Sequence, residues 1–96
     1  MKKTITRKNV FADLGFGSGE AVNLHVRARL MAEIEKHIRA QQLTQKEAAA
    51  QFGVTQPRIS NLLRGKINLF STDALITMLA HAGLTVDVRV KSTVAA

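Results

Sequence analysis

The chain has 96 residues, no cysteine and a net charge of +7. At this length only about two-thirds of the unfolded surface can be buried, so one domain with a small core is expected, with little room for a catalytic cavity. Without cysteine there are no disulfides, thiolate nucleophiles or thiolate metal sites; no apolar run suits a membrane span or a signal peptide, which points to the cytoplasm.

Residues 1–8 carry Lys2, Lys3, Arg7 and Lys8 with one apolar residue, Ile5, and read as a mobile basic arm. Val10, Phe11, Leu14 and Phe16 follow among Gly15, Gly17 and Gly19. That glycine density argues against a regular element, and the apolar residues argue that the segment lies against something. Gly15 to Gly19 is no phosphate-binding loop: no strand precedes it and the Lys-Ser/Thr ending is missing. Residues 1–19 are thus an arm and a glycine-rich lead-in.

The first helix is predicted from Glu20 to Gln41. Leu24, Ala28, Met31, Ile34 and Ile38 recur at three and four and make a core-facing stripe. Val22, Val26 and Leu30 form a second apolar row. Two readings of that row stand together: a partner outside the domain, or residues 10–16 folded back over it. The second helix starts at Thr44, where Thr44-Gln45-Lys46-Glu47 has the form of a capping box. It places Ala48, Ala49 and Phe52 inward and stops at Gly53. Thr55 caps a third helix with Pro57 in its first turn, where a missing N–H costs nothing. Ile59, Leu62 and Leu63 form its buried side and Gly65 ends it. A fourth helix runs from Ser71 or Thr72 to about Ala82, with Leu75, Ile76, Met78 and Leu79 inward and Gly83 as its stop. After Gly83 the period becomes two: Val86, Val88 and Val90 alternate with Asp87, Arg89 and Lys91. This predicts a strand over 85–91, with residues 92–96 frayed. The expected class is mainly α, four to five helices over 20–83 with a short C-terminal β-strand and tail over 84–96.

The segment from Gln45 to Gly65 carries the functional signal. Two short helices crossing steeply need a small residue at their approach, met by Ala49, and a left-handed turn, met by Gly53. Val54, Ile59 and Leu62 pin the second of them inward. The outward face then holds Gln56, Pro57, Arg58, Ser60, Asn61 and Arg64. These side chains suit base edges and phosphates, and a helix fits the major groove. Positive charge flanks this face: residues 43–69 hold Lys46, Arg58, Arg64 and Lys66 against Glu47 alone. Gln56 and Asn61 are expected to read bases, and Arg64 and Lys66 to hold phosphates.

These residues resemble the Cro and repressor-like (XRE-type) helix-turn-helix family, in which Thr-Gln opens the second helix and Ser/Thr-Gln the third. The likeness covers roughly Arg27 to Gly83. It implies that Gln45 clamps a phosphate and packs on Gln56, that Gln56 is the main base reader, and that Asn61 is a second one. Pro57 departs from the polar residue usual there and can touch only a thymine methyl. Arg58 would reach a guanine or a phosphate at the groove edge. A narrower likeness takes in Asn9 to Phe16, Leu43 to Ala49, Gln56 to Ser60 and Leu63 to Lys66, which are similar to the short XRE-family antitoxins of HigA type. That likeness implies a RelE-like ribonuclease toxin as a protein partner and repression of the chain's own operon, in the cytoplasm on nucleoid DNA; a stand-alone phage-type repressor is the alternative.

No residue set supports an enzyme, a metal or a cofactor. His25, His37 and His81 do not cluster. Glu33 and His37 share a helix face but lack a third ligand. Ser18, Ser60, Ser71 and Ser92 lack a nucleophile's setting, and Asp13, Asp73 and Asp87 are isolated. With no Trp or Tyr and four Phe, stacking of single-stranded RNA is disfavoured. A lone strand needs a partner for its backbone, so Val86, Val88 and Val90 are expected to pair with a second copy across a two-fold axis. The operator would then be an inverted repeat with half-sites about 34 Å apart. Pairing with residues 4–6 or with a toxin's sheet edge is the alternative.

Overall fold

The computed structural model describes residues 18–92. The basic arm, most of the lead-in and the end of the tail lie outside the described residues. Among these residues are four α-helices, α1 (Ser18–Ala40), α2 (Gln45–Phe52), α3 (Gln56–Leu63) and α4 (Thr72–His81), with a short 3-10 turn (Ile67–Leu69) between the last two. The first helix begins two residues earlier than Glu20 and takes Gly19 into its first turn. The 3-10 turn is an element that the periodicity did not announce.

The three shorter helices start by one rule. Thr44, Thr55 and Ser71 each accept a bond from the backbone N–H three residues on, at Glu47, Arg58 and Ala74. The box at Thr44 closes fully, because its N–H donates to Glu47 Oε1 at 2.8 Å. Each cap is flanked by an apolar residue just before it and another four places into the helix, which fixes the angle of entry. The pairs are Leu43 with Ala48, Val54 with Ile59, and Phe70 with Leu75; all six belong to the core or pack against it. Left-handed glycines close the turns, with φ of 69° at Gly53 and 74° at Gly65.

The core is one cluster. Phe52, Phe70, Ile34, Ile59 and Leu75 are its largest fully buried side chains, each worth roughly 1.5–3 kcal/mol of burial. The expected stripe on α1 is only partly used. Met31, Ile34 and Ile38 are buried, but Leu24 is half-buried and Ala28 exposed. The short helices pack on the C-terminal half of α1, so the stripe ends where they end. Of the second row, Leu30 packs against the core, while Val22 and Val26 stay exposed.

The expected strand is a correction. Residues 85–91 form no strand, and none occurs among the described residues. Burial alternates as far as Val86, which packs on the core with Leu84. Val88 and Val90 are 75% and 93% exposed. The physical reason is that a strand exists only through a ladder with another strand, and the helical surface offers none.

Candidate nucleic-acid interface

The short α3 is held on three sides. Ile59 and Leu62 on its inner face are 0% and 2% exposed, and Ala48 and Ala49 of α2 lie in the same cluster, where their small side chains let the two helices approach. Gly53 turns the chain between them. A β-carbon there would meet the His81 ring at 2.8 Å, and that ring's Nδ1 lies 3.2 Å from the Gln51 carbonyl. On the opposite side, His37 of α1 sits edge-on to Phe52, ring centres 5.5 Å apart, with Nε2 3.2 Å from Gln51 Oε1. Two imidazoles, from α1 and α4, thus brace the end of α2 just before the turn.

What remains outward is the face that the sequence pointed to. Gln45, Thr55, Gln56, Pro57, Arg64 and Lys66 are exposed, and Arg58, Ser60 and Asn61 half-buried. Gln56 opens α3 and Asn61 lies five residues on. The side chains of Gln45, Gln56, Ser60, Asn61, Arg64 and Lys66 make no hydrogen bond or ion pair among the described residues. Gln45 and Gln56, which the family likeness packs together, share no hydrogen bond among the described residues. No acidic residue occurs from Ala48 to Thr72, and Arg58, Arg64 and Lys66 form no ion pair among the described residues.

Arg58 is placed differently from the others. Its Nη1 donates to the Leu69 carbonyl at 2.8 Å, and its guanidinium lies 4.1 Å over the centre of the Phe70 ring. It is committed to the loop after α3 and acts first as a strut between α3 and the start of α4. Arg27 on α1 serves the same loop: Nη1 donates to the Ile67 carbonyl at 3.2 Å and Nε to Asn23 Oδ1 at 2.8 Å. Around these two arginines, Asn68 and the first turn of α4 lies an open cavity of about 650 Å³.

Sequence reasoning missed Arg27, Phe70 and His81 as supports of α3 and the loop after it. Phe70 had a usable signal, standing directly before the cap Ser71 with Leu75 four residues inside. Arg27 and His81 had none, since each acts across a long sequence separation. Among the described residues no three His, Asp or Glu side chains gather as a metal site, and His37 of the Glu33–His37 pair is engaged with Gln51 and Phe52. No described helix is long and apolar enough to cross a membrane.

A family model described as a helix-turn-helix domain matches residues 10–91. No curated protein matches the sequence. The matched span includes most of the lead-in, the four described helices and the segment after Gly83 as far as residue 91.

Proposed function

The chain belongs to the helix-turn-helix domain family, and from that premise we propose that it reads a specific duplex DNA sequence and represses transcription there, without catalysis or cofactor. The observation that carries the reading is the division of α3. One side is sealed by Ile59 and Leu62, while the other presents Gln56, Asn61 and Arg64 with their hydrogen-bonding groups unengaged. A helix so mounted enters the major groove with its first residues toward the bases. Gln56 and Asn61 read base edges; Gln45, Arg64 and Lys66 hold phosphates; Thr55 presents its capped turn to the backbone; Ser60 and Pro57 line the groove.

Selection of bound sequences from a random duplex library tests this, and one enriched motif is expected. Gln56→Ala should then cost about 1–3 kcal/mol and relax preference at one base pair. Lys66→Ala should weaken all sequences evenly and lower the salt slope by about one. Binding with no enriched motif, or equal loss of specificity in both variants, overturns the reading.

The operator in this proposal is an inverted repeat bound by a homodimer, with half-sites about 34 Å apart. The likeness of Asn9 to Phe16 to HigA-type antitoxins supports a second role, blocking a RelE-like toxin encoded beside it. Co-expression with the neighbouring reading frame tests that role. Co-purification is expected, and its absence leaves a stand-alone repressor.

A further inference from the structure

We propose that residues 84–91 join two copies of this chain as an antiparallel pair centred on Val88, with Asp87 of each copy opposite Arg89 of the other. The proposal rests on the dimeric part of the reading above and adds which residues meet.

Three observations prepare the segment for a partner. Leu84 and Val86 are seated on the core, so the chain leaves the helices at a fixed place. Beyond them Val88 and Val90 are, among the described residues, the most exposed large apolar side chains, at 75% and 93%. Among the described residues, no backbone hydrogen bond involves residues 85–91, so donors and acceptors remain free along both edges. The family match runs through residue 91, which makes the segment part of the domain.

The charges choose the register. In an antiparallel pair, directly opposite residues share a face, so valines meet valines only when a residue, not a peptide bond, lies on the two-fold axis. Centring on Asp87 or Arg89 sets that charge against its own copy. Centring on Val90 sets Arg89 against Lys91, and centring on Val86 leaves Val90 beyond the other copy's valines. Centring on Val88 instead gives two Asp87–Arg89 pairs, one Val88–Val88 pair and two Val86–Val90 pairs. Like charges directly opposite destabilise a pair and unlike charges support it, so this register is selected over its neighbours. Beside the segment, a groove of about 450 Å³ between α1 and residues 84–87 is walled by Leu30, Leu79, Leu84 and Val86 together with the charged Glu33, Lys36 and Asp87. Val90 of the other copy, opposite Val86, closes over it.

Charge reversal tests the register without touching the core, because Asp87 and Arg89 are both exposed. Dimerisation is followed by sedimentation equilibrium without DNA, and helix content by circular dichroism. Asp87→Arg and Arg89→Asp should each raise the dimer dissociation constant about tenfold, because each creates two like-charge pairs. The double variant recreates both unlike pairs and should return to within about threefold of the starting value. A double variant no tighter than the single ones overturns the register, because centring on Asp87 or Arg89 would leave it repulsive. An unaltered chain that stays monomeric while still selecting a DNA motif overturns this surface and leaves the DNA reading standing. A chain that dimerises with the charge pattern but selects no motif does the reverse.

Discussion

Residues 44–70 and residues 84–91 face the same problem, backbone groups in need of partners, and meet it differently. In the first region every helix end is closed within a few residues, by Thr44 and Glu47, by Gly53, by Thr55 and by Gly65. Loop carbonyls left over at Ile67 and Leu69 are taken by Arg27 and Arg58. In the second region the chain leaves the core after Val86 with no ladder at all. Local closure fixes α3 within the chain itself. Its absence leaves the backbone of residues 85–91 without hydrogen-bond partners among the described residues.

Substitutions that weaken one region and spare the other probe this contrast. The greatest loss is expected for Phe70→Ala, which opens the core and removes the ring under Arg58; it should cost about 3–5 kcal/mol in urea unfolding. A loss under about 1 kcal/mol would mean that the loop after α3 is not anchored there. Next comes Gly53→Ala. A left-handed backbone with a β-carbon costs about 1–2 kcal/mol, and the His81 ring must also move. Made in a His81→Ala background, Gly53→Ala should cost the backbone part only, and no cost there would show that the backbone at Gly53 is unstrained.

Arg58→Ala should lower stability by about 1–2 kcal/mol, from the lost ring contact and the bond to Leu69. Gln56→Ala should leave the unfolding midpoint unchanged. If Arg58→Ala instead weakens only DNA binding, the strut reading fails and Arg58 belongs with the groove contacts. The mildest change is expected for Val90→Ala, within about 0.5 kcal/mol for the monomer. A larger loss measured at high dilution would show that Val90 is part of the chain's own core.

Much of this was legible from residue order alone. The caps at Thr44 and Thr55, the turn at Gly53, the stop at Gly65 and the outward set around Gln56 and Asn61 all depend on neighbours three to five residues away. Such relations are written directly into the chain. Arg58 was legible as a residue but not as a role. Spacing places it on the outer face of α3, and only the approach of Phe70 and the Leu69 carbonyl turns its guanidinium back.

Residue order dictated the four helices, the capped ends of α2 and α3 and the polar face of α3, because capping, glycine conformation and the 3.6-residue period act over one or two turns. Tertiary packing governed what depends on long-range approach. It set how far along α1 the core reaches, and it braced Gln51 and Phe52 between His37 and His81. It also committed Arg27 and Arg58 to one loop. It left residues 85–91 without a strand, because a strand's hydrogen bonds belong to two segments at once and this chain's helices supply only apolar contacts at Leu84 and Val86.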